Sequence, residues 1–322
     1  MDEFETIARL FAPLSAGEAG AFGLRDDAAV LAPAPGHDFV LTKDAIVAGV
    51  HFFSDDPPAA IAAKLLRVNL SDLAAKGAVP RACLLAAGFS PALGPEWLTD
   101  FARGLGDDLA TFGVTLIGGD TVSTPGPAFF SLTAIGEVPA GTMIRRKGAL
   151  AGDLVCVSGT IGDAALYVAH RLKGRGVRGL PELEERYRLP RPRLALGRAL
   201  RGIAHAACDV SDGLVADLGH LCEEAAVGAV IETAKVPLSA AAMASVAADP
   251  TLVPTMLTGG DDYELVFALA PETDLSALPG PVAVIGRFEE GQGVRVVDAA
   301  GSSLELERTG WRHAVGAGDD GA

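Results

Sequence analysis

The residues of this chain best suited to chemistry are aspartates that follow apolar segments and adjoin glycine turns. They fall in six short clusters: Arg25-Asp26-Asp27, Thr42-Lys43-Asp44, Asn69-Leu70-Ser71-Asp72, Gly118-Gly119-Asp120-Thr121, Asp209-Val210-Ser211-Asp212-Gly213 and Gly259-Gly260-Asp261-Asp262-Tyr263-Glu264. Carboxylates at strand ends beside tight turns are placed to project into a common cleft. Several hard oxygen ligands converging there suit Mg²⁺. Their mutual repulsion is costly unless cations stand between them. An enzyme that handles polyphosphate needs such a cluster to offset the charge of its substrates. Each cluster also has a plain reading. Asp27 and Asp44 can be solvated turn residues, Asp72 can lie on the exposed face of a helix, and Asp209 and Ser211 can be ordinary helix-start residues. On the residues alone the choice stays open between a Mg²⁺-dependent α/β enzyme and an acidic binding protein.

Other routes to catalysis leave no trace. There is no GxxxxGK[ST] phosphate loop, no GxGxxG between a strand and a helix, no kinase HRD and DFG pair and no GxSxG elbow. The His and Cys residues suggest no nucleophile pair.

The elements that must position the aspartates are read from hydrophobic periodicity. Phe4, Ile7, Ala8 and Phe11 predict an amphipathic segment over 4–14, and strands are expected at Ala28–Ala32 and Asp38–Thr42. Ala59–Lys76 reads as a helix stopped by Gly77, Arg81–Ala87 as a buried strand and Glu96–Phe112 as a helix. Val114–Ile117 is expected to end at Gly118-Gly119, and Phe129–Ile135 is the next strand. Turn-rich, basic residues from Pro139 to Gly152 divide the chain into a domain over 1–138, a linker over 139–152 and a domain over 153–322. The second part begins with a strand at Leu154–Val157 and a helix from Asp163. A polar Arg171–Arg193 stretch, read as a surface connection, follows it. Ser211–Ala226 is expected as a helix capped by Ser211, whose start offers backbone N–H donors to a phosphate. Later strands are expected at Ala229–Ile231, Tyr263–Leu269, Val282–Ile285 and Val294–Val297, with a frayed tail after His313. The pattern is a mixed α/β (α+β) two-domain protein.

Composition narrows the function. The 322 residues carry 41 acidic and 26 basic side chains, a net charge of −15. That balance argues against general nucleic-acid binding, where Lys and Arg must meet the phosphates. Anionic ligands remain compatible, since metal ions bridge two negative partners. No apolar run reaches the roughly 18 residues a membrane span needs, and the acidic N-terminus is no signal peptide. Cys83, Cys156, Cys208 and Cys222 lack CxxC or zinc spacing, so a reduced, cytoplasmic enzyme is expected.

Taken in order, DEFETIARLF, LRDDAAV, LTKDAIVAGVHF, KLLRVNLSDLAAKGAVP, LIGGDT, RRKGALAGD, DVSDGL and GGDDYEL, closed by Gly310-Trp311-Arg312-His313, carry a specific resemblance. Over essentially the whole chain they resemble the thiamine-monophosphate kinase family, of the superfamily that includes aminoimidazole ribonucleotide synthetase and selenophosphate synthetase. The resemblance implies ATP-dependent phosphorylation of thiamine monophosphate to thiamine diphosphate, the last step of that cofactor's synthesis. It implies a PurM-like architecture whose N-terminal strands pair with a second subunit in a homodimer, and an active site between the two domains. By position it implies Asp27, Thr42, Asp44, Asp72, Asp120, Asp209 and Asp212 as Mg²⁺ ligands, Gly119, Asp120, Arg146 and Ser211 as ATP contacts, and His51, Asp261 and Trp311 as thiamine phosphate contacts. Two departures stand out: Lys43 lies where a neutral or small side chain is expected, and Asp261 where the family usually has Glu.

The residue chemistry agrees with that expectation. A substrate phosphate oxygen is already an anionic nucleophile, so direct transfer needs no strong base. The task is to bring two phosphate groups into line, which suits metal-bound Asp120 and Asp212 with Arg146 on the transferring group. Trp311 suits stacking on thiamine or facing its cationic thiazolium. Selenophosphate synthetase is disfavoured because the first cysteine is Cys83, and the hydrogenase-maturation relative because the sequence closes Gly-Asp-Asp-Gly-Ala. Aminoimidazole ribonucleotide synthetase and a non-catalytic binder of nucleotide or thiamine phosphate stay as alternatives.

Overall fold

The computed structural model describes residues 3–311. A short helix α1 (Glu3–Thr6) widens into a π turn at Ile7–Phe11 and tightens into a 3-10 turn at Ala12–Ser15. The expected single helix over 4–14 is broken because Pro13 supplies no N–H to continue its ladder. Its anchor is Phe11, buried in the first core.

The first half then runs β1 (His37–Val47), α2 (Pro58–Ala75), β2 (Val79–Phe89), α3 (Pro95–Phe112), β3 (Thr115–Ser123) and β4 (Phe129–Pro139). The sheet order is β1-β4-β2-β3, with β4 antiparallel to both neighbours and β2 parallel to β3. Strand β1 is longer than expected because it pairs with β4 along its whole length, from His37↔Pro139 to Val47↔Phe129. No strand forms at Ala28–Ala32. Val30 N–H reaches only Gly20 O at 2.9 Å, and Ala29 and Leu31 instead pack over Ile117 and Ile135. Nor does β3 stop at Gly118-Gly119. The ladder absorbs an irregularity beside Leu84 and continues, with Gly119 so close to β2 that a Cβ would lie 1.9 Å from Leu85 O.

The second half contains β5 (Leu154–Ser158), α4 (Asp163–Lys173), α5 (Leu180–Arg188), α6 (Leu194–Leu200), β6 (Ala204–Asp209), α7 (Leu214–Ala225), β7 (Gly228–Glu232), α8 (Ala240–Ala248), α9 (Val253–Thr258), β8 (Leu265–Leu269), β9 (Val282–Glu289) and β10 (Gly293–Val297). They build a six-stranded sheet in the order β10-β7-β9-β5-β8-β6, mixed in direction. The architecture is therefore the expected mixed α/β one. The Arg171–Arg193 stretch is not a surface connection. It contains α5, whose Leu183, Arg186 and Tyr187 are buried.

Helix α2 joins the halves. Ile61, Leu65, Leu66, Leu70 and Leu73 enter the core under the first sheet, while Ala74 and Ala75 share a second core with Leu196 and Leu200 of α6 and Phe267 of β8. The contact with α6 is close: a Cβ on Gly197 would lie 1.9 Å from Ala74 O. A helix buried on both sides shows little amphipathic contrast. No helix among the described residues is long and apolar enough to cross a membrane.

Candidate active site

Between the two halves lies a cleft of about 440 Å³ lined by Asp44, His51, Asp72, Arg146, Asp209, Ser211, Asp212, Asp261 and Trp311. Strand periodicity explains its first wall. Thr42 and Asp44 share parity with the buried Val40 and Ile46, so they face α2. The Thr42 hydroxyl donates to the Asp72 carboxylate, and Asp44 N–H donates to Asn69 Oδ1 at 3.0 Å. Asn69 is fully buried and is fixed by its own bond to Leu65 O, 2.9 Å. Asp72 therefore faces the cleft rather than solvent.

The opposite wall is the β6–α7 turn. The expected Ser211 cap is absent. Instead, Oδ2 of Asp217, buried in the first turn of α7, accepts the N–H groups of Ser211, Asp212 and Gly213 at 3.0, 3.0 and 3.1 Å. Those amides are thus committed to the turn itself, and the expectation that they would be offered to a phosphate does not hold. What the turn presents to the cleft is side chains. Asp217 is pushed up to about 7 by burial and by the neighbouring Asp212. Asp212, Asp217 and His220 bring ligating atoms within 4.8 Å of one another.

The carboxylates of the two walls feel each other. Burial first, then Asp72 and Asp212, push the Asp44 carboxyl up to about 6. Burial, followed by Asp72 and Asp217, holds Asp209 well above the usual carboxylate range. Among the described residues no Lys or Arg forms an ion pair with Asp44, Asp72, Asp209 or Asp212. Of the basic groups, Arg146 lines the same cleft, and Lys76 is bonded to Ala207 O at 2.9 Å and lowered by its burial.

At the other end of the cleft, His51 Nδ1 accepts Val47 N–H at 3.1 Å, which places the ring proton on Nε2. Asp261 belongs to a connection in left-handed backbone, with φ of 75° at Gly260, 64° at Asp261 and 50° at Tyr263. The strain is held by Asp261 N–H to Ser211 O and Tyr263 N–H to Val210 O, both 2.8 Å. Trp311, 45 % exposed, is tied to the β6–α7 turn by its backbone N–H on Asp212 O, 2.9 Å. The neighbouring residues Arg312 and His313, named in the sequence reading, lie outside the described residues.

The remaining expected residues lie elsewhere. Asp27, Gly119 and Asp120 line a second cleft of about 710 Å³ on the other face of the first sheet, together with Lys43. Lys43 is there because it alternates with Thr42 and Asp44 along β1. Its ammonium therefore does not share the interdomain cleft with the Asp44 carboxylate.

Sequence reasoning missed Lys64, Tyr187 and Asp217. For Lys64 a signal was present: a lone charge inside the apolar run from Ile61 to Leu66. For Tyr187 and Asp217 none was, because their roles depend on which element packs beside them. Also missed was the buried bracket around Glu264, which accepts from Ser158 Oγ at 2.6 Å, Arg186 Nη2 at 2.9 Å and Arg193 Nε at 2.5 Å.

Comparison with known proteins follows this geometry. Residues 25–138 match the family model "AIR synthase related protein, N-terminal domain", and residues 151–299 match its C-terminal counterpart. A thiamine-monophosphate kinase of Caulobacter vibrioides is 43% identical over 320 residues, covering 97% of this chain and 90% of that protein. The crystal structure of thiamine-monophosphate kinase from Stenotrophomonas maltophilia K279a is 39% identical, with a TM-score of 0.77 over 84% of this chain and 89% of the other. AaThiL complexed with AMPPCP and TMP is 30% identical, with a TM-score of 0.77 and 97% of both chains covered.

Proposed function

Since the chain belongs to the thiamine-monophosphate kinase family of AIR synthase related proteins, a family of kinases, we propose that it transfers the γ-phosphoryl group of ATP directly to the phosphate of thiamine monophosphate. The products are ADP and thiamine diphosphate, and the reaction is the last step in making that cofactor. The observation that carries this reading is the interdomain cleft, where four carboxylates without cationic partners face a His51, Asp261 and Trp311 set. The relative complexed with AMPPCP and TMP supports both substrates.

The donor set fits Mg²⁺. Asp44, Asp72, Asp209 and Asp212 offer hard oxygens, and burial, followed by the neighbouring carboxylates, pushes Asp44 and Asp209 up. We assign these four, with Thr42 beside Asp72 and with Asp27 and Asp120 of the second cleft, as the Mg²⁺ ligands. When bound, Mg²⁺ would neutralise phosphate oxygens. Gly119 and Asp120 from the second cleft, and Arg146 and Ser211 from the first, are assigned to ATP. Arg146 offers a planar fork of donors to the transferring group. His51 is assigned to the acceptor phosphate and Trp311 to thiamine, whose cationic ring suits an aromatic neighbour. No general base is required, because the attacking oxygen is anionic already. The cysteines are no rivals as nucleophiles: burial pushes Cys83, Cys156 and Cys222 each up to about 12.

The division between the halves is placed in residues 139–152, between β4 and β5. A second copy of the chain is the proposed cover for the outer face of the first sheet, where Leu41, Leu84 and Val122 are exposed. Light scattering would show a dimer, and a monomer across the working concentration range would remove this part of the reading.

The decisive experiment incubates the protein with ATP, Mg²⁺ and thiamine monophosphate, and quantifies thiamine diphosphate and ADP by chromatography beside a metal-free control. Equal, metal-dependent formation of both is expected. ADP without thiamine diphosphate would keep the nucleotide site and reject the acceptor. Neither product, from folded protein that binds ATP, would reject the kinase reading in favour of a sibling reaction or a binding protein.

A further inference from the structure

Lys64 is the basic residue of α2 with no exposed face: its side chain is 2 % exposed. A lysine ammonium has three hydrogens to place, and burial without partners would neutralise or expel it. Here every direction is filled. Nζ donates to Asp261 Oδ2 at 3.0 Å and to His51 O at 3.0 Å, and it lies 3.6 Å from the centroid of the Tyr187 ring. The partners reinforce one another. Tyr187 Oη donates to the same His51 carbonyl at 3.1 Å, and Tyr263 Oη donates to the other Asp261 oxygen at 3.1 Å.

These contacts run between the two halves. His51 follows β1 in the first half, and Asp261 stands in the strained connection before β8 in the second. We propose that Lys64 is a positioning residue for the acceptor. It fixes the His51 backbone against the Asp261 carboxylate, and so sets the width and charge of the end of the cleft that takes thiamine monophosphate. This rests on the reading that His51 and Asp261 contact that substrate. The same bond compensates the Asp261 charge, leaving its carboxylate held on both oxygens by Lys64 and Tyr263. A carboxylate restrained in that way presents one orientation to a ligand. The nucleotide assignments touch none of these atoms, so the consequences of losing Lys64 fall on the acceptor side.

The test uses the full chain as wild type, Lys64→Met, Asp261→Asn and the double variant. Methionine keeps length and apolar stem without the charge. Steady-state KM and kcat are measured for both substrates, and thiamine monophosphate binding is titrated calorimetrically without ATP. Lys64→Met is expected to raise KM for thiamine monophosphate about tenfold or more while KM for ATP moves less than about twofold. The losses in the double variant are expected to be clearly less than multiplicative, because Lys64 acts in part through Asp261. A change shared equally by both substrates, an unchanged thiamine monophosphate KM, or losses that multiply in the double variant would each overturn the proposal. If Lys64→Met does not fold, Tyr187→Phe serves, since it keeps the ring under the ammonium and removes only the donor to His51 O. It is expected to raise the same KM about threefold, and wild-type behaviour would overturn the proposal. Wild-type protein that does not bind thiamine monophosphate would refute the acceptor reading and the positioning role together. Normal wild-type binding with an indifferent Lys64→Met would refute the positioning role alone.

Discussion

Replacing Asp44 by asparagine should stabilise the metal-free protein while disabling it, and the gain should depend on pH. The Asp44 side chain makes no hydrogen bond that asparagine would lose, since its fixed contact is the backbone N–H on Asn69. Its carboxyl is held at about 6 instead of 3.8, by burial and by Asp72 and Asp212. At about 1.4 kcal/mol per pH unit, that displacement is about 3 kcal/mol. In this range the folded protein binds more protons than the unfolded chain. The contribution of Asp44 to stability is therefore full below about pH 4, falls as pH rises through about 6, and is gone above it. Asparagine does not ionise and lacks this decline. Urea unfolding in chelator should show wild type and variant matched near about pH 4, with the variant ahead by up to about 3 kcal/mol near about pH 8. Added Mg²⁺ should then stabilise wild type more than the variant. A variant less stable at the higher pH, or a difference that ignores pH, would refute the argument that burial and the neighbouring carboxylates disfavour the Asp44 charge in the absence of a cation.

Three further outcomes follow from the same geometry. Asp120→Asn and Asp212→Asn should each lose about a hundredfold or more in kcat while remaining folded, and wild-type turnover in either would remove that residue from the metal assignment. Trp311→Ala should raise KM for thiamine monophosphate about fivefold and leave KM for ATP within about twofold, because the residue lines the interdomain cleft beside His51 and Asp261; unaltered thiamine monophosphate kinetics would take it out of the site. Glu264→Gln should cost about 3 kcal/mol or more, since it leaves Arg186 and Arg193 facing each other without their shared carboxylate; a melting temperature equal to wild type would contradict it.

The aspartate clusters were legible because each joins an apolar run to a turn, and local pattern reports that much. Their distribution was not. Whether Lys43 shares a cleft with Asp44 depends on strand alternation and on what covers each sheet face, and the two side chains prove to lie on opposite faces. Helix α2 was read with its boundaries nearly right, yet its burial on both sides needed the second half of the chain to be in place. The Arg171–Arg193 stretch was misread for a related reason. Its arginines look solvated in sequence, but Arg171 pairs with Asp55 at 2.8 Å, Arg188 with Asp56 at 2.7 Å and Arg186 with Glu264 at 2.9 Å. Polarity marks a surface only when the partner charges are far away.

That pairing sets two groups of acidic residues apart. Asp56, Asp108, Asp163 and Glu264 are buried and each has an arginine, at 2.7, 2.6, 3.6 and 2.9 Å, so their charge is cancelled within the chain. Asp44, Asp72, Asp209 and Asp212 have none, and burial presses two of them toward protonation. Folding tolerates the first group because breaking such a pair is what costs energy. It tolerates the second only at a loss in stability that a cation would remove. A chain with 26 basic residues has enough to have paired these four as well. Leaving them unpaired in the one cleft that also holds His51, Asp261 and Trp311 makes sense when the missing positive charge arrives with the substrates.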